Sequence, residues 1–105
     1  MMSVGEVVQK CKATLKDHYG PRLGGVILYG SAARRQADTD SDIDLLVLLN
    51  QPFDYFTELR RIVEILYSIQ LESEQLISVK PVPVDEFERG TLQLYRNAKR
   101  EGIFV

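Results

Sequence analysis

The first apolar residues of the chain recur at intervals of three and four positions, at Val4, Val7, Val8, Cys11 and Leu15. This spacing predicts an amphipathic helix over about residues 3–18, with Ser3 as its N-cap. Gly20 and Pro21 follow directly and predict its end.

Two short apolar runs predict buried strands. Residues 26–29 are apolar and lie between glycines, and residues 42–49 start with acidic positions and then become fully apolar. A continuous apolar run of this kind is typical of a strand that is covered on both faces. Between the two runs, residues 31–35 predict the start of a short helix and residues 38–41 a polar loop.

The second half of the chain repeats this alternation. Helical spacing over residues 54–71 predicts the longest helix, with apolar positions at Phe56, Leu59, Ile62, Val63, Leu66 and Ile69. Residues 75–82 predict a third strand, and Pro81 and Pro83 mark it as an edge strand or mark its end. Asp85 is predicted to cap a helix through Glu88, and a last helix over 91–100 is expected to end at Gly102.

This order of elements predicts the α/β (α+β) class, with a small mixed sheet of three to four strands and helices packed on it. The chain has 105 residues, of which 45% are hydrophobic, so we expect one domain over residues 1–105. No signal-peptide pattern is found at the start, and the longest apolar run, residues 45–49, is far too short for a membrane span. We therefore expect a cytoplasmic protein.

Charge and cysteine content exclude some classes of function. The net charge of −2 argues against a protein that coats nucleic acid, because no large electrostatic attraction is available. It does not argue against a nucleotide site, where metal ions supply positive charge. Cys11 is the only cysteine, which excludes a disulfide within the chain and a cysteine-based zinc site.

Residues 30–34 combine features that bind phosphate. Gly30 ends a predicted strand and has no Cβ, so a ligand can approach its backbone. Ser31 begins a predicted helix, where free N–H groups and the helix dipole favour an anion, and Arg34 lies about one turn later. The alternative is a simple turn followed by a surface arginine, which is the commoner meaning of each feature taken alone.

Asp42 and Asp44 are two positions apart on a predicted strand. Both side chains should therefore point to one face, and Ile43 and Leu45 to the other. Two neighbouring carboxylates suit Mg²⁺, which binds one or two carboxylates together with phosphate oxygens. A solvated loop end is the commoner origin of an Asp-x-Asp pattern. Its occurrence beside a phosphate cradle within residues 28–47 favours an apparatus for phosphoryl or nucleotidyl transfer.

The segments Gly-Ser-Ala-Ala-Arg at 30–34 and Ser-Asp-Ile-Asp-Leu-Leu-Val at 41–47 resemble the signature of the DNA polymerase beta nucleotidyltransferase superfamily. Within it, the chain is similar to the MNT group of stand-alone minimal domains. The resemblance implies that Asp42 and Asp44 are catalytic carboxylates that bind Mg²⁺ or Mn²⁺, and that Ser31 binds the terminal phosphates. The positions assigned to nucleotide binding are Gly30, Ser31, Arg34 and Ser41.

The resemblance also implies a substrate and a partner. The expected reaction transfers AMP from ATP to a hydroxyl acceptor. The expected partner is a HEPN-type helical protein, as in two-gene toxin–antitoxin pairs, and association with further copies of the chain stays open. We expect neither a membrane nor a nucleic acid as a partner.

One departure from the superfamily pattern affects catalysis. The third carboxylate of the superfamily lies on the strand after the long helix, where residues 75–81 contain no acid and Ser78 or Ile77 occupies its place. Either Glu72 or Glu74 substitutes, or the two-metal mechanism is incomplete. In the second case the domain would bind nucleotide with little turnover and would neutralise a partner by binding it. A small-molecule transferase similar to the aminoglycoside nucleotidyltransferases is the third alternative.

Overall fold

The computed structural model of the protein describes residues 2–30 and 41–105. Four strands form one mixed sheet in the order β3-β2-β1-β4, in which β2 runs antiparallel to β1 and parallel to β3, and β1 runs antiparallel to β4. The strands are β1 Leu23–Tyr29, β2 Ile43–Leu49, β3 Ile77–Pro83 and β4 Ile103–Phe104. The helices within the described ranges are α1 Val4–Tyr19, α2 Tyr55–Ile65, α3 Tyr67–Glu72, α4 Val84–Arg89 and α5 Gln93–Glu101. The predicted fold class is confirmed.

The first helix begins and ends where the sequence predicts. Ser3 accepts a hydrogen bond from the backbone N–H of Glu6, and the Glu6 side chain accepts one from the N–H of Ser3, which together form a capping box. Gly20 ends α1 with a positive φ of 54°, and Pro21 lies in the short 3-10 turn Gly20–Arg22 that leads into β1.

The central strand β2 is covered on both faces, as its continuous apolar run predicts. Its odd-numbered residues pack against α1, α2 and α3, and these are Ile43, Leu45, Val47 and Leu49. Leu46 and Leu48 point the other way and pack against α4 and α5 around Phe87 and Tyr95. The sheet therefore separates two apolar clusters, which we call the α1 side and the α5 side.

The single long helix predicted over residues 54–71 is wrong. The backbone leaves the helical region at Leu66, with φ −95° and ψ 1°, and the segment divides into α2 and α3. Leu66 is nevertheless buried, and so is Ile69 one turn later. The break therefore lets the chain continue along the sheet while both residues stay on the α1 side.

The predicted cap at Asp85 is also wrong. Pro83 occupies the position before α4, and no side chain caps that helix. Asp85 lies within the first turn, where a carboxylate is favoured by the helix dipole, and it forms an exposed ion pair with Arg89. Helical dipole preference and N-cap preference both place an aspartate near a helix start, so the sequence pattern does not separate them.

A short fourth strand follows α5, which ends at Gly102 as predicted. A Cβ on Gly102 would lie 2.5 Å from the carbonyl oxygen of Ala98 and 2.6 Å from Cγ2 of Ile27. The absence of a side chain there lets the chain turn tightly from α5 onto the sheet, where Ile103 pairs with Leu28. Within the described ranges, no helix is both long and apolar enough to span a membrane.

Candidate active site at the start of the central strand

The sheet register brings three polar residues into one row. Asp44 on β2 pairs with Tyr29 at the end of β1 and with Ser78 on β3. Residues in register on neighbouring strands share a face of the sheet, so all three side chains point to the α5 side. The predicted placement of Ile43 and Leu45 on the opposite face is confirmed, because both are buried in the α1 side cluster.

Gly30 lies directly against Asp44. Its φ is 74°, a left-handed conformation that glycine adopts at no steric cost, and a Cβ built on it would lie 2.5 Å from Oδ2 of Asp44. The sequence predicts that a ligand approaches the Gly30 backbone in the space left by the missing Cβ. The Asp44 carboxylate occupies that room, so Gly30 sets how closely the end of β1 approaches this acid.

The Asp42 and Asp44 carboxylates influence each other electrostatically. Burial raises the pKa of Asp44, the negative charge of Asp42 raises it further, and the positive charge of Lys80 partly opposes this. Asp42 is exposed just before β2, whereas Asp44 is half-buried. A half-buried carboxylate beside a second negative charge is a site that favours a divalent cation, because the cation relieves the repulsion.

The third strand offers a hydroxyl instead of a third acid. Ser78 is the residue that pairs with Asp44, whereas Ile77 pairs with Ile43 and packs on the α1 side. Within the described part of the chain, no three Asp, Glu, His or Cys residues are grouped so that they could hold a metal ion.

The two glutamates before β3 do not fill this place in the row. Glu72 forms an exposed ion pair, 3.5 Å long, with Lys10 of α1, which covers the opposite face of the sheet. Glu74 is exposed in the turn that precedes β3.

The remaining predicted nucleotide-binding residues divide into two groups. Ser31 and Arg34 lie outside the described residues, so their roles stay predictions. Ser41 is described, is half-buried and directly precedes Asp42. The structure therefore places Gly30 against Asp44 and Asp42 close enough for its charge to act on Asp44, with Ser41 directly before Asp42 in the chain.

Two residues of this surface were not predicted. Tyr29 lies beside Asp44 and its pKa is raised to about 12, by burial first and then by the Asp44 and Tyr55 side chains. Lys80 points to the same face as Ser78, two positions further along β3. Strand alternation could have assigned Lys80 to this face, but the pairing of Tyr29 with Asp44 depends on the register between β1 and β2.

A separate cavity of about 710 Å³ opens at the other end of β2, around Leu49, Tyr55 and Tyr95. Three carboxylates also line it, from Asp85, Glu86 and Glu88. Neither Asp42 nor Asp44 is part of its wall. The candidate active site is therefore identified by its chemistry and register and not by the size of this cavity.

The chain is similar to known proteins over most of its length. Two Methanocaldococcus jannaschii proteins whose names propose a protein adenylyltransferase are similar to the chain. One is 31% identical over 83 residues, which cover 75% of this chain and 83% of that protein. The other is 30% identical over 94 residues, covering 83% of this chain and 94% of that protein.

A longer enzyme and a solved structure are also similar. Spectinomycin 9-adenylyltransferase of Staphylococcus aureus is 31% identical over 91 residues, which cover 86% of this chain but 35% of that enzyme. A solved structure described as a candidate minimal nucleotidyltransferase has a TM-score of 0.59 and 26% identity, over 97% of this chain and 95% of that one. Residues 8–105 match the family model described as the nucleotidyltransferase domain. The chain therefore belongs to the nucleotidyltransferase domain family, a family of enzymes.

Proposed function

We propose that the domain transfers AMP from ATP to a hydroxyl group on an acceptor, with Mg²⁺ or Mn²⁺ bound by Asp42 and Asp44. The observation that carries this proposal is the close approach of Gly30 to Asp44, with Asp42 adding a second negative charge at the same place. The names of the two archaeal relatives and of the staphylococcal enzyme support adenylyl transfer as the reaction.

The metal fits the residues present. Asp42 and Asp44 supply oxygen ligands of the kind that Mg²⁺ takes together with phosphate oxygens. A bound divalent ion would neutralise charge on the triphosphate and favour ionisation of the acceptor hydroxyl. The protein's own part is to hold the carboxylates in position, and for Asp44 the pairing of β2 with strands on both sides does so.

The triphosphate is expected to lie where β1 ends. Gly30 lets the end of β1 lie close to Asp44 and its metal, and Ser31 and Arg34 follow in the sequence as donors for the β- and γ-phosphates. In the reaction the acceptor oxygen forms a bond to the α-phosphorus while the bond from that phosphorus to the bridging oxygen breaks. Pyrophosphate leaves, and the hydroxyl proton is released to solvent.

We propose a protein as the acceptor, of the HEPN-type helical class, in a toxin–antitoxin pair. A protein acceptor fits the names of the archaeal relatives, which are of similar length to this chain. The staphylococcal enzyme is named for spectinomycin, a small molecule. Its acceptor is a weaker guide to the acceptor of this chain, since the match covers only 35% of that enzyme.

Ser78 favours a second candidate function. With a hydroxyl at the position that pairs with Asp44, the carboxylate pair can hold a metal–nucleotide complex, while the described part of the chain places no third acid there to ionise the acceptor. The domain would then bind nucleotide, and would neutralise its protein partner by forming a complex with it.

One labelling experiment tests the proposal. The purified chain is incubated with ATP labelled at the α-phosphate, Mg²⁺ or Mn²⁺, and the protein encoded by the neighbouring gene. We expect label on that protein, and we expect it to fall at least about a hundredfold in Asp42→Asn and Asp44→Asn, because each removes a charged metal ligand. Asp54→Asn is the matched control, since Asp54 is an exposed N-cap of α2 and asparagine also caps helices well.

Nucleotide binding is measured on the same samples by calorimetry. Complex formation and ATP binding without any transfer of label would contradict the enzyme and support the binding module. Equal labelling by the wild type and Asp44→Asn would exclude the carboxylate pair as the active site.

A further inference from the structure

An exposed apolar stripe runs along the outer flank of α2 and α3. Phe56 and Val63 are seven positions apart on α2, and Tyr67 and Leu71 are four apart on α3, so each pair lies on one side of its helix. Val63 and Tyr67 line the same groove, which joins the two pairs across the break at Leu66. Leu76, in the turn before β3, continues the stripe. The exposed fractions of these five side chains are 74%, 52%, 59%, 68% and 58%.

The stripe borders a groove that is apolar as well. The groove has a volume of about 350 Å³ and lies between the two helices and β3, with Val63, Tyr67 and Leu76 in its wall. β3 is an edge strand of the sheet, and no further strand within residues 2–30 and 41–105 pairs with its outer side. A monomer would leave all of this surface in water.

The size of the stripe is that of a dimer interface. Five side chains exposed to this extent present roughly 500–600 Å² of apolar area, which is at the upper limit for a monomeric protein. A standard interface buries about 800 Å² on each partner, of which about 65% is apolar in homodimers. The stripe therefore supplies the apolar share of one such interface.

The charges beside the stripe are self-complementary. Arg60 and Glu64 are exposed, lie one turn apart on α2, and form no ion pair with any of the described residues. If two α2 helices pack antiparallel about a two-fold axis level with residue 62, each Arg60 lies beside the partner's Glu64. The same arrangement brings Phe56 next to the partner's Tyr67 and both Val63 residues near the axis.

We propose that this stripe is the interface of a two-fold symmetric dimer of the chain. An isologous interface requires one patch that complements itself, and the spacing of Phe56, Arg60, Glu64 and Tyr67 meets that requirement. The helices α2 and α3 cover the α1 side of the sheet, whereas Asp44 points to the α5 side. Both active sites would therefore stay accessible in the dimer, and the proposal is independent of the reaction they catalyse.

Sedimentation equilibrium on the wild type and on Val63→Glu tests the interface. We expect a concentration-dependent dimer for the wild type and a dissociation constant at least about a hundredfold weaker for Val63→Glu, because two carboxylates would be buried near the axis. Leu92→Glu is the matched control, since Leu92 is 51% exposed at the start of α5, away from the stripe. Circular dichroism confirms that each variant is folded.

A charge exchange distinguishes this arrangement from other dimers. Arg60→Glu alone places like charges opposite each other, and so does Glu64→Arg, so each variant should dimerise roughly tenfold more weakly. Mixing the two variants restores both pairs of opposite charge, and we expect a heterodimer of wild-type affinity. A wild type that stays monomeric up to its solubility limit overturns the proposal. So does a dimer unaffected by Val63→Glu, or a mixture no tighter than the separate variants.

Discussion

At the scale of single residues, the site depends on which side chain stands beside Asp44. On one side Gly30 contributes only backbone, and on β3 the neighbour is Ser78. Lys80, further along the same strand, adds positive charge. Among the described residues, β3 therefore places a hydroxyl and not a carboxylate beside Asp44, and a cation lies nearby.

Ser78→Asp should supply the missing acid. A carboxylate at this position would face Asp44 across the β2–β3 pairing, and we expect melting temperature to rise with Mg²⁺ concentration more steeply than in the wild type. We also expect AMP transfer to increase at least about tenfold, since a well-placed carboxylate base contributes roughly 10²–10⁴-fold. Ser78→Asn is the control of equal size and no charge. Equal responses to Mg²⁺ in the two variants would place residue 78 outside the metal site.

Strand alternation in the sequence predicts that Asp44 and Ile43 point to opposite faces of β2, and the buried position of Ile43 on the α1 side agrees with this. The sequence did not show that the Asp44 carboxylate fills the space beside Gly30, nor that Tyr29 is its neighbour. Both facts follow from the alignment of β1 with β2, which depends on contacts between residues far apart in the chain.

At the scale of elements, a buried polar contact joins α1 to α2. The Tyr19 hydroxyl donates a hydrogen bond of 2.7 Å to Glu58, which is only 6% exposed and also accepts one from Arg61. Glu58 lies on the inner side of α2, where helical periodicity alone predicts an apolar residue. A buried acid of this kind is tolerated because both of its oxygens have partners.

Tyr19→Phe should weaken this contact. It leaves one Glu58 oxygen buried without its donor, so we expect the free energy of unfolding to fall by about 1–3 kcal/mol. Urea denaturation measures the change. Tyr55→Phe provides the comparison, because Tyr55 is 40% exposed and its hydroxyl has no hydrogen bond within the described ranges. A loss in Tyr19→Phe no larger than in Tyr55→Phe would show that the buried contact does not stabilise the fold.

Element boundaries were predicted best where a local signal marks them. Ser3 and Gly20 limit α1 through capping, and Gly102 ends α5 through the space it leaves free. The break at Leu66 has no such signal, since residues on both sides of it continue the helical pattern. The break follows from packing on the sheet. The same is true of β4, whose two residues pair with β1 because α5 returns the chain to that edge of the sheet.

At the scale of the whole molecule, groups buried on both sides of the sheet resist ionisation at high pH. Burial raises the pKa of the Cys11 thiol to about 11 on the α1 side. Burial also raises the pKa of Tyr19, with a further contribution from its hydrogen bond to Glu58, and that of Tyr95 on the α5 side. All three groups lose their protons more easily in the unfolded chain.

The free energy of unfolding should therefore fall as pH rises above about 9. In this range the unfolded chain binds fewer protons than the folded chain, so the slope is negative, at about 1.4 kcal/mol per pH unit for each group that ionises only on unfolding. Urea denaturation between about pH 8 and 11 measures it. Cys11→Ala should remove the part of this pH dependence that begins at the lowest pH, since a thiol ionises before a tyrosine in the unfolded chain. An unchanged slope in that variant would contradict the assignment to Cys11.

The alternation of β2 has a consequence for screens of protein variants. If the strand shifted by one position against its neighbours, Asp44 would enter the apolar cluster and the leucines would change faces. Any variant that folds therefore keeps Asp44 pointing to the same side, even when a library is sorted for solubility alone. Inactive members of such a library should have lost a carboxylate or another residue of the site. They should rarely keep an Asp44 that points to the wrong face of the sheet.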